Sequence, residues 1–132
     1  MGFWFEFDRR NKVLLVRVEG QLTDELLAET QQAIRKYSVE TDAGAGIFDF
    51  SLVTEVALSP AYVHKLAKEE PAMGDATRRP RIIVAPTAVA FGFSRMFQML
   101  GESTRPLLEV VRTMDEALTV LGVQSVHFEP LE

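Results

Sequence analysis

The sequence contains no cysteine, and only two of its 132 residues are histidine. The absence of cysteine excludes disulfides, thiolate nucleophiles and cysteine-ligated metal or iron–sulfur sites. His64 and His127 lack the spacing of a metal-binding pair, so we expect them to be solvated or packed side chains. We therefore expect no metal.

Glycine-rich phosphate loops are also missing. The pair Gly44 and Gly46 precedes an apolar strand instead of following one, so it does not place backbone amides at the start of a helix. Residues 90–94 lack the Gly-x-Ser-x-Gly pattern of a hydrolase nucleophile. These absences predict a protein with no cofactor and no catalytic residues.

Positive charge is scarce, because 14 basic residues stand against 19 acidic ones and the net charge is −5. Such a balance disfavours binding to nucleic acid. No apolar run reaches the roughly 20 residues of a membrane span, and the first residues lack the pattern of a secretory signal. We expect a cytoplasmic protein with no integral membrane segment.

What is present suits one α/β domain, since 47% of the residues are hydrophobic and the length is near that of a common domain. We expect residues 1–132 to form this domain, with a core at about 3–122 and a tail at 123–132. Alternation and β-branched runs predict strands, and helical periodicity with capping residues predicts the helices between them. The predicted strands cover residues 3–7, 13–19, 45–50, 81–85 and 107–111, and the predicted helices begin near Thr23, Pro60, Thr87 and Thr113.

The resulting order is β-β-α-β-α-β-α-β-α, which favours a mostly parallel mixed sheet with an N-terminal hairpin and helices packed on it. The first helix is expected to end at Tyr37, and residues 38–44 to form a polar connection. Residues 73–80 are expected to be a loop, and residues 126–128 either a short last strand or a surface segment.

The chain is organised around residues 46–67, which we interpret as a buried strand, a loop and a capped helix. Asp49 interrupts the apolar strand, and we expect its carboxylate to accept hydrogen bonds from amides of residues 51–53 rather than to act in catalysis. Ser59 is expected to cap the second helix, with Pro60 at the first helical position.

The third helix is rich in large apolar residues. A core stripe is predicted to contain Val89, Phe93, Met96, Phe97 and Leu100. Phe91 and Met99 fall outside that stripe, beside Arg95, and either form an exposed apolar patch or are covered by neighbouring loops. The arginines at 78, 79 and 81 are expected to form a solvated rim, the alternative being a site for a phosphate or an acidic partner.

This order of elements, with Asp49, Ser51 and Val53 closing the central strand and Ser59 opening a helix, resembles the STAS domain of bacterial anti-sigma-factor antagonists. The ending of the chain resembles a divergent branch of that family. The resemblance implies a regulatory module in which a serine after the central strand is phosphorylated by a kinase. Leu58 stands at the position of that serine, so the phosphoswitch is expected to be absent.

Our main hypothesis is a non-enzymatic STAS-like module that binds a protein partner through residues 51–59, the second helix and the outer side of the third helix. The candidate residues are Asp49, Ser51, Thr54, Leu58 and Ser59, with Phe91, Arg95 and Met99. A second copy of the chain is also a candidate partner. The alternative is a carrier of a small apolar ligand or lipid, with a pocket lined by Phe91, Phe93, Met96 and Met99. An enzyme built on Asp49 and His64 is disfavoured, because nothing brings the two together.

Overall fold

The chain begins with a hairpin in which an acidic side chain holds the turn. The computed structural model describes residues 2–75 and 77–131, and in it β1 (Phe3–Asp8) pairs antiparallel with β2 (Val13–Thr23). Asp8 accepts hydrogen bonds from the Arg10 amide (2.9 Å) and from the amide and side chain of Asn11 (3.2 and 2.8 Å). A buried carboxylate is stable only with such partners.

The remaining elements follow the predicted order. They are α1 (Asp24–Thr41), β3 (Ala45–Ala57), α2 (Pro60–Lys68), β4 (Arg81–Val84), α3 (Ala88–Leu100), β5 (Leu108–Val111), α4 (Met114–Leu121) and β6 (Glu129–Leu131). The strands form one sheet in the order β5-β4-β3-β2-β1-β6, with β2 to β5 parallel and β1 antiparallel to both of its neighbours. The predicted mixed, mostly parallel α/β fold is confirmed.

Helices cover both faces of this sheet. Successive strand residues point to opposite faces, and the buried residues sort into two clusters accordingly. Leu14 and Val16 pack with α1, α2 and α3, whereas Val13 and Leu15 pack with α4. The first three helices therefore share one face of the sheet, and α4 packs on the other.

Several boundaries differ from the prediction, and β2, expected to end at Glu19, continues to Thr23. The first helix continues beyond Tyr37 to Thr41, because Ser38 and Thr41 donate their hydroxyls to helix carbonyls instead of releasing the chain. The last strand lies at Glu129–Leu131 and not at 126–128, and it pairs with β1 within the segment predicted to be a tail. Of the predicted domain, Met1, Ala76 in the 73–80 loop and Glu132 lie outside the described residues.

The largest difference is in β3, which was expected to end at Phe50 and to be followed by a loop. It continues to Ala57, paired with the second half of β2 across two register shifts. The β-branched residues Val53, Thr54 and Val56 favour extended backbone. Gly20, at the second shift, has a φ of 79°, which is a conformation that glycine adopts without steric cost.

Asp8 yields a test of the turn. Burial alone raises the pKa of its carboxyl, but hydrogen bonds from Asn11, His127 and Arg10 outweigh that effect and hold the pKa below its ordinary value of 3.8. Asp8→Asn should lower the free energy of unfolding at pH 7 by about 2 kcal/mol, because hydrogen bonds to a charged acceptor are lost. Urea titration measures this loss.

The loss should also depend on pH. Because the folded-state pKa is depressed, the stabilisation is fully present above pH 3.8 and disappears as the pH falls through the folded-state pKa. The difference between wild type and Asp8→Asn should therefore shrink in acid. Asp42→Asn, at an exposed aspartate, is the control and should change stability by less than about 0.5 kcal/mol. A difference that stays constant from pH 6 to pH 2 would contradict the assignment.

Candidate interaction site

The pair β2–β3 extends beyond the rest of the sheet. β4 pairs only with residues 46–49 of β3, and β1 reaches only as far as Val18 of β2. Residues 50–57 of β3 are therefore paired with β2 alone among the described residues. The opposite edge of that strand segment is open, which is how sheets accept an additional strand from another chain.

This open edge lies beside the start of α3. Val53, Thr54, Glu55 and Val56 of β3 line a shallow depression together with Thr87 and Val89 of α3. Val89 is 57% exposed, and Leu52 on the same strand is 47% exposed. The depression thus combines unpaired backbone with the accessible side chain of Val89, and Leu52 lies next to it along the strand.

Parallel pairing also brings two helix starts together. Thr23 at the end of β2 is in register with Ala57 at the end of β3. Thr23 caps α1 by accepting a hydrogen bond from the Leu26 amide (3.1 Å), and Ser59 caps α2 by accepting one from the Tyr62 amide (3.1 Å). The cap expected at Ser59 is present.

Ser59 has a further partner that the sequence did not indicate. Its amide and its hydroxyl donate to the two carboxylate oxygens of Asp24, at 2.9 and 2.7 Å. The Ser59 hydroxyl is thus both an acceptor in the cap and a donor to a carboxylate. Burial raises the pKa of the nearby Tyr62 phenol; the charges of Glu69 and Asp24 add to that shift, and the charge of Arg35 opposes it.

Leu58, at the position where the resemblance places a phosphorylated serine, is half-buried against the core cluster of the α1–α3 face. Leu58 also lines a cavity together with Val63 of α2. An apolar residue therefore anchors the connection between β3 and α2. The hydroxyl nearest to that position is that of Ser59.

Asp49 is almost fully buried, and its partners are structural. Oδ1 accepts the Ser51 amide (2.9 Å), as expected from the sequence, and Oδ2 accepts Nη1 of Arg17 (2.7 Å). Arg17 also bonds Glu6 through Nε (2.8 Å), and Glu6 accepts the indole N–H of Trp4 (3.0 Å). In the sequence, only the presence of Arg17 within an apolar strand indicated such a network. The register between β2 and β3, which places Arg17 opposite Asp49, is known only from the structure.

The core stripe predicted for α3 is only partly confirmed. Phe93 and Phe97 line the interior cavity and are half-buried, as are Met96 and Leu100, but Val89 is exposed and the fully buried residues of the helix are Ala90 and Ser94. Small side chains at i and i+4 let the helix approach its neighbours closely, and large ones flank that contact. The volume of the side chains at the contact, rather than their hydrophobicity alone, therefore determines which side of α3 faces the sheet.

Phe91 and Met99 do not form one open patch. Phe91 is half-buried, with the Arg112 guanidinium 4.1 Å from its ring centroid, whereas Met99 is exposed. Arg95 is also exposed and donates to Gln98 (2.8 Å). The pocket expected from Phe91, Phe93, Met96 and Met99 is not formed, since only Phe93 of these lines the cavity on this side of the sheet.

The expected arginine rim is only partly present. Arg79 lies 3.3 Å from the exposed Asp42, but Arg81 is buried and donates to the carbonyls of Arg79 and Gly74. His64 is exposed on α2. Within residues 2–75 and 77–131, no three histidine, aspartate or glutamate side chains are grouped as metal ligands, and no helix is long and apolar enough to cross a membrane.

Comparison with known proteins identifies the fold. No protein-family model and no curated protein matches the sequence. The structure is similar to the unphosphorylated anti-sigma factor antagonist SpoIIAA, with a TM-score of 0.57, 14% identity and coverage of 89% of this chain and 94% of that chain. It is also similar to the phosphorylated Bacillus cell fate determinant SpoIIAA, with a TM-score of 0.54, 17% identity and coverage of 89% and 96%.

A third similar structure is an anti-sigma factor antagonist from Mycobacterium paratuberculosis, with a TM-score of 0.56, 22% identity and coverage of 91% of this chain and 94% of that chain. All three likenesses extend over nearly the whole chain. The STAS-like fold expected from the sequence is therefore confirmed.

The contact between Ser59 and Asp24 can be tested with an acidic substitution. Aspartate is a good N-cap, so Ser59→Asp would be neutral for a simple cap. Beside Asp24 it should instead lower the free energy of unfolding by about 2 kcal/mol, through repulsion and the lost hydrogen bonds. Chemical denaturation at pH 7 measures the effect.

Thr87→Asp is the matched control, because Thr87 caps α3 through the Ala90 amide (3.2 Å) and has no carboxylate bonded to its hydroxyl among the described residues. It should change stability by less than about 0.5 kcal/mol. Equal stability of Ser59→Asp and wild type would show that an anion is tolerated at this helix start.

Proposed function

We propose that this protein is a non-enzymatic STAS-like regulatory module that binds a protein partner and lacks the serine phosphoswitch. The observation that carries the proposal is the open edge of β3 at residues 50–57, beside the exposed start of α3. Unpaired backbone groups and accessible apolar side chains together suit a contact with another polypeptide. The likeness to anti-sigma factor antagonists supports the regulatory class.

The contact surface consists of the outer edge of β3 and the first turn of α3. Leu52 and Val89 supply the apolar part, and Ser51 and Thr54 are exposed polar residues on the strand. An extended segment of the partner would pair with the backbone of β3 and place alternate side chains toward Val89. Met99 and Arg95 lie further along α3 and extend the accessible side of the helix.

Absence of the phosphoswitch is supported by two residues. Leu58 has no hydroxyl, and its half-buried side chain packs against the core cluster. The Ser59 hydroxyl is held by Asp24, whose carboxylate would repel a phosphate at that position. Regulation by phosphorylation of the connection between β3 and α2 is therefore disfavoured on both steric and electrostatic grounds.

A non-enzymatic role is supported by Asp49, the most reactive candidate for catalysis, because its carboxylate is bound to other groups of the protein. Both oxygens of the Asp49 carboxylate are already engaged, one by the Arg17 guanidinium and the other by the Ser51 amide. His64, the other candidate, is exposed on α2. The net charge of −5 further disfavours nucleic acid as the partner.

The proposal predicts that charge at the open edge prevents binding. Leu52→Lys and Val89→Lys each place a desolvated ammonium in the contact and should reduce recovery of the partner by tenfold or more, since such a charge costs several kcal/mol. Quantitative mass spectrometry of affinity captures from the native lysate measures recovery for each variant.

Val120→Lys is the matched control, because Val120 is an equally accessible valine, 50% exposed, on α4 of the opposite sheet face. It should leave recovery unchanged. Size-exclusion chromatography with light scattering distinguishes a second copy of the chain from a different partner. Identical captures from all four proteins, each shown to be folded, would overturn the proposed surface.

A further inference from the structure

A cavity lies on the face of the sheet that α1, α2 and α3 cover. Its volume is about 90 Å³, and its wall is mainly aliphatic and aromatic, including Leu14, Val16, Leu27, Ile83, Phe93 and Phe97. For comparison, an apolar cavity of roughly 150 Å³ in another protein stays dry and binds benzene. The space here suits an apolar group smaller than benzene.

Two arginines also line this cavity, although both are buried. Arg81 is 4% exposed and Arg105 is 5% exposed. Arg81 donates to two backbone carbonyls, and Arg105 donates through Nη1 to the carbonyls of Ala67 (3.0 Å) and Glu69 (3.1 Å). The Arg105 guanidinium further stacks 4.8 Å from the Phe97 ring centroid. These acceptors tie loops to the core but carry no full negative charge.

The positive charge of this pair is balanced only from a distance. Among the described residues, no carboxylate oxygen lies within 4.0 Å of either guanidinium, so the charges of Asp75 and Glu69, which act on Arg81 and Arg105 respectively, do so from beyond that distance. Burial and then the neighbouring Arg105 charge lower the pKa of Arg81 to about 10, which leaves it protonated at neutral pH. Two nearby buried cations with mainly neutral acceptors favour the arrival of an anion.

Hydrogen-bond donors remain for such an anion. Nε and Nη2 of Arg105 and Nε of Arg81 donate to none of the described residues. Buried side-chain nitrogens without a partner are absent from the described part of the chain, so these three atoms are not fully enclosed by protein. Arginine donors suit a carboxylate because the two planar groups match.

We infer that the cavity binds a small aliphatic carboxylate of about three or four carbons, with its chain among Val16, Ile83 and Phe93 and its carboxylate at Arg81 and Arg105. Charge complementarity selects the head group, and the cavity volume limits the chain. This cavity is separate from the β3 edge. The ligand site and the protein-binding surface can therefore be confirmed or refuted independently.

The direct test uses butanoate, with 1-butanol and butylamine as probes of equal chain length. Methyl-resolved NMR titration should show saturable shifts for the Leu14, Val16 and Ile83 methyl groups with butanoate. Butanol should bind about tenfold more weakly, because it lacks the charge-assisted hydrogen bonds, and butylamine should not bind. Equal affinity for butanol and butanoate, no binding of butanoate, or shifts confined to the α4 face would overturn the inference.

Two kinds of variant test separately the contact with the ligand carboxylate and the space for its aliphatic chain. Arg105→Gln should weaken butanoate binding by at least about tenfold, whereas Arg95→Gln, at an exposed arginine of α3, should not change it. Because Arg105 also holds backbone carbonyls, a second variant keeps the test decisive if Arg105→Gln does not fold. Ala90→Leu places a side chain into the cavity wall and should abolish binding, while Ala88→Leu, on the exposed side of α3, should preserve it. Full affinity in a folded Ala90→Leu protein would exclude this cavity as the site.

Discussion

The arrangement of the molecule depends on the parallel pairing of β2 with β3 through to the last residue of each strand. Because Thr23 lies opposite Ala57, the helices that follow these strands begin side by side. Their free N–H groups and dipoles would otherwise repel each other at close range. The Asp24 carboxylate reduces this repulsion between the two helix starts. It lies in the first turn of α1 and accepts hydrogen bonds from both the amide and the hydroxyl of Ser59 at the start of α2.

The two register shifts between β2 and β3 keep apolar residues of β3 on the face of the sheet that the helices cover. Phe50 and Val53 are both buried although they are three positions apart, whereas an uninterrupted strand would place them on opposite faces. Asp49 lies just before the first shift, opposite Arg17, and Arg17 and Glu6 complete a polar network across three strands there. The first shift therefore begins directly after this network, where Asp49 also accepts the Ser51 amide.

Sequence reasoning located the elements because their signals are local. Thr23, Ser59 and Thr113 each cap a helix through the amide three residues later, and this depends only on nearby residues. The end of β3 was missed because its continuation depends on pairing with β2, which is remote in sequence. The inward side of α3 was predicted only in part, because Ala90 and Ser94 carry a weaker hydrophobic signal than the phenylalanines beside them, yet they allow the closer contact.

The arginines show the limit of sequence reasoning most clearly. Arg17, Arg81 and Arg105 are the same residue type, but Arg17 is held by two carboxylates and the other two are held by backbone carbonyls. The carbonyl partners of Arg105 are 36 and 38 residues away, and a carbonyl is present at every position, so no pattern of residue types marks them. Arg17 therefore completes its charge balance within the sheet. Arg81 and Arg105 bring positive charge to an apolar cavity on the other face, and only the folded arrangement brings these two arginines together there.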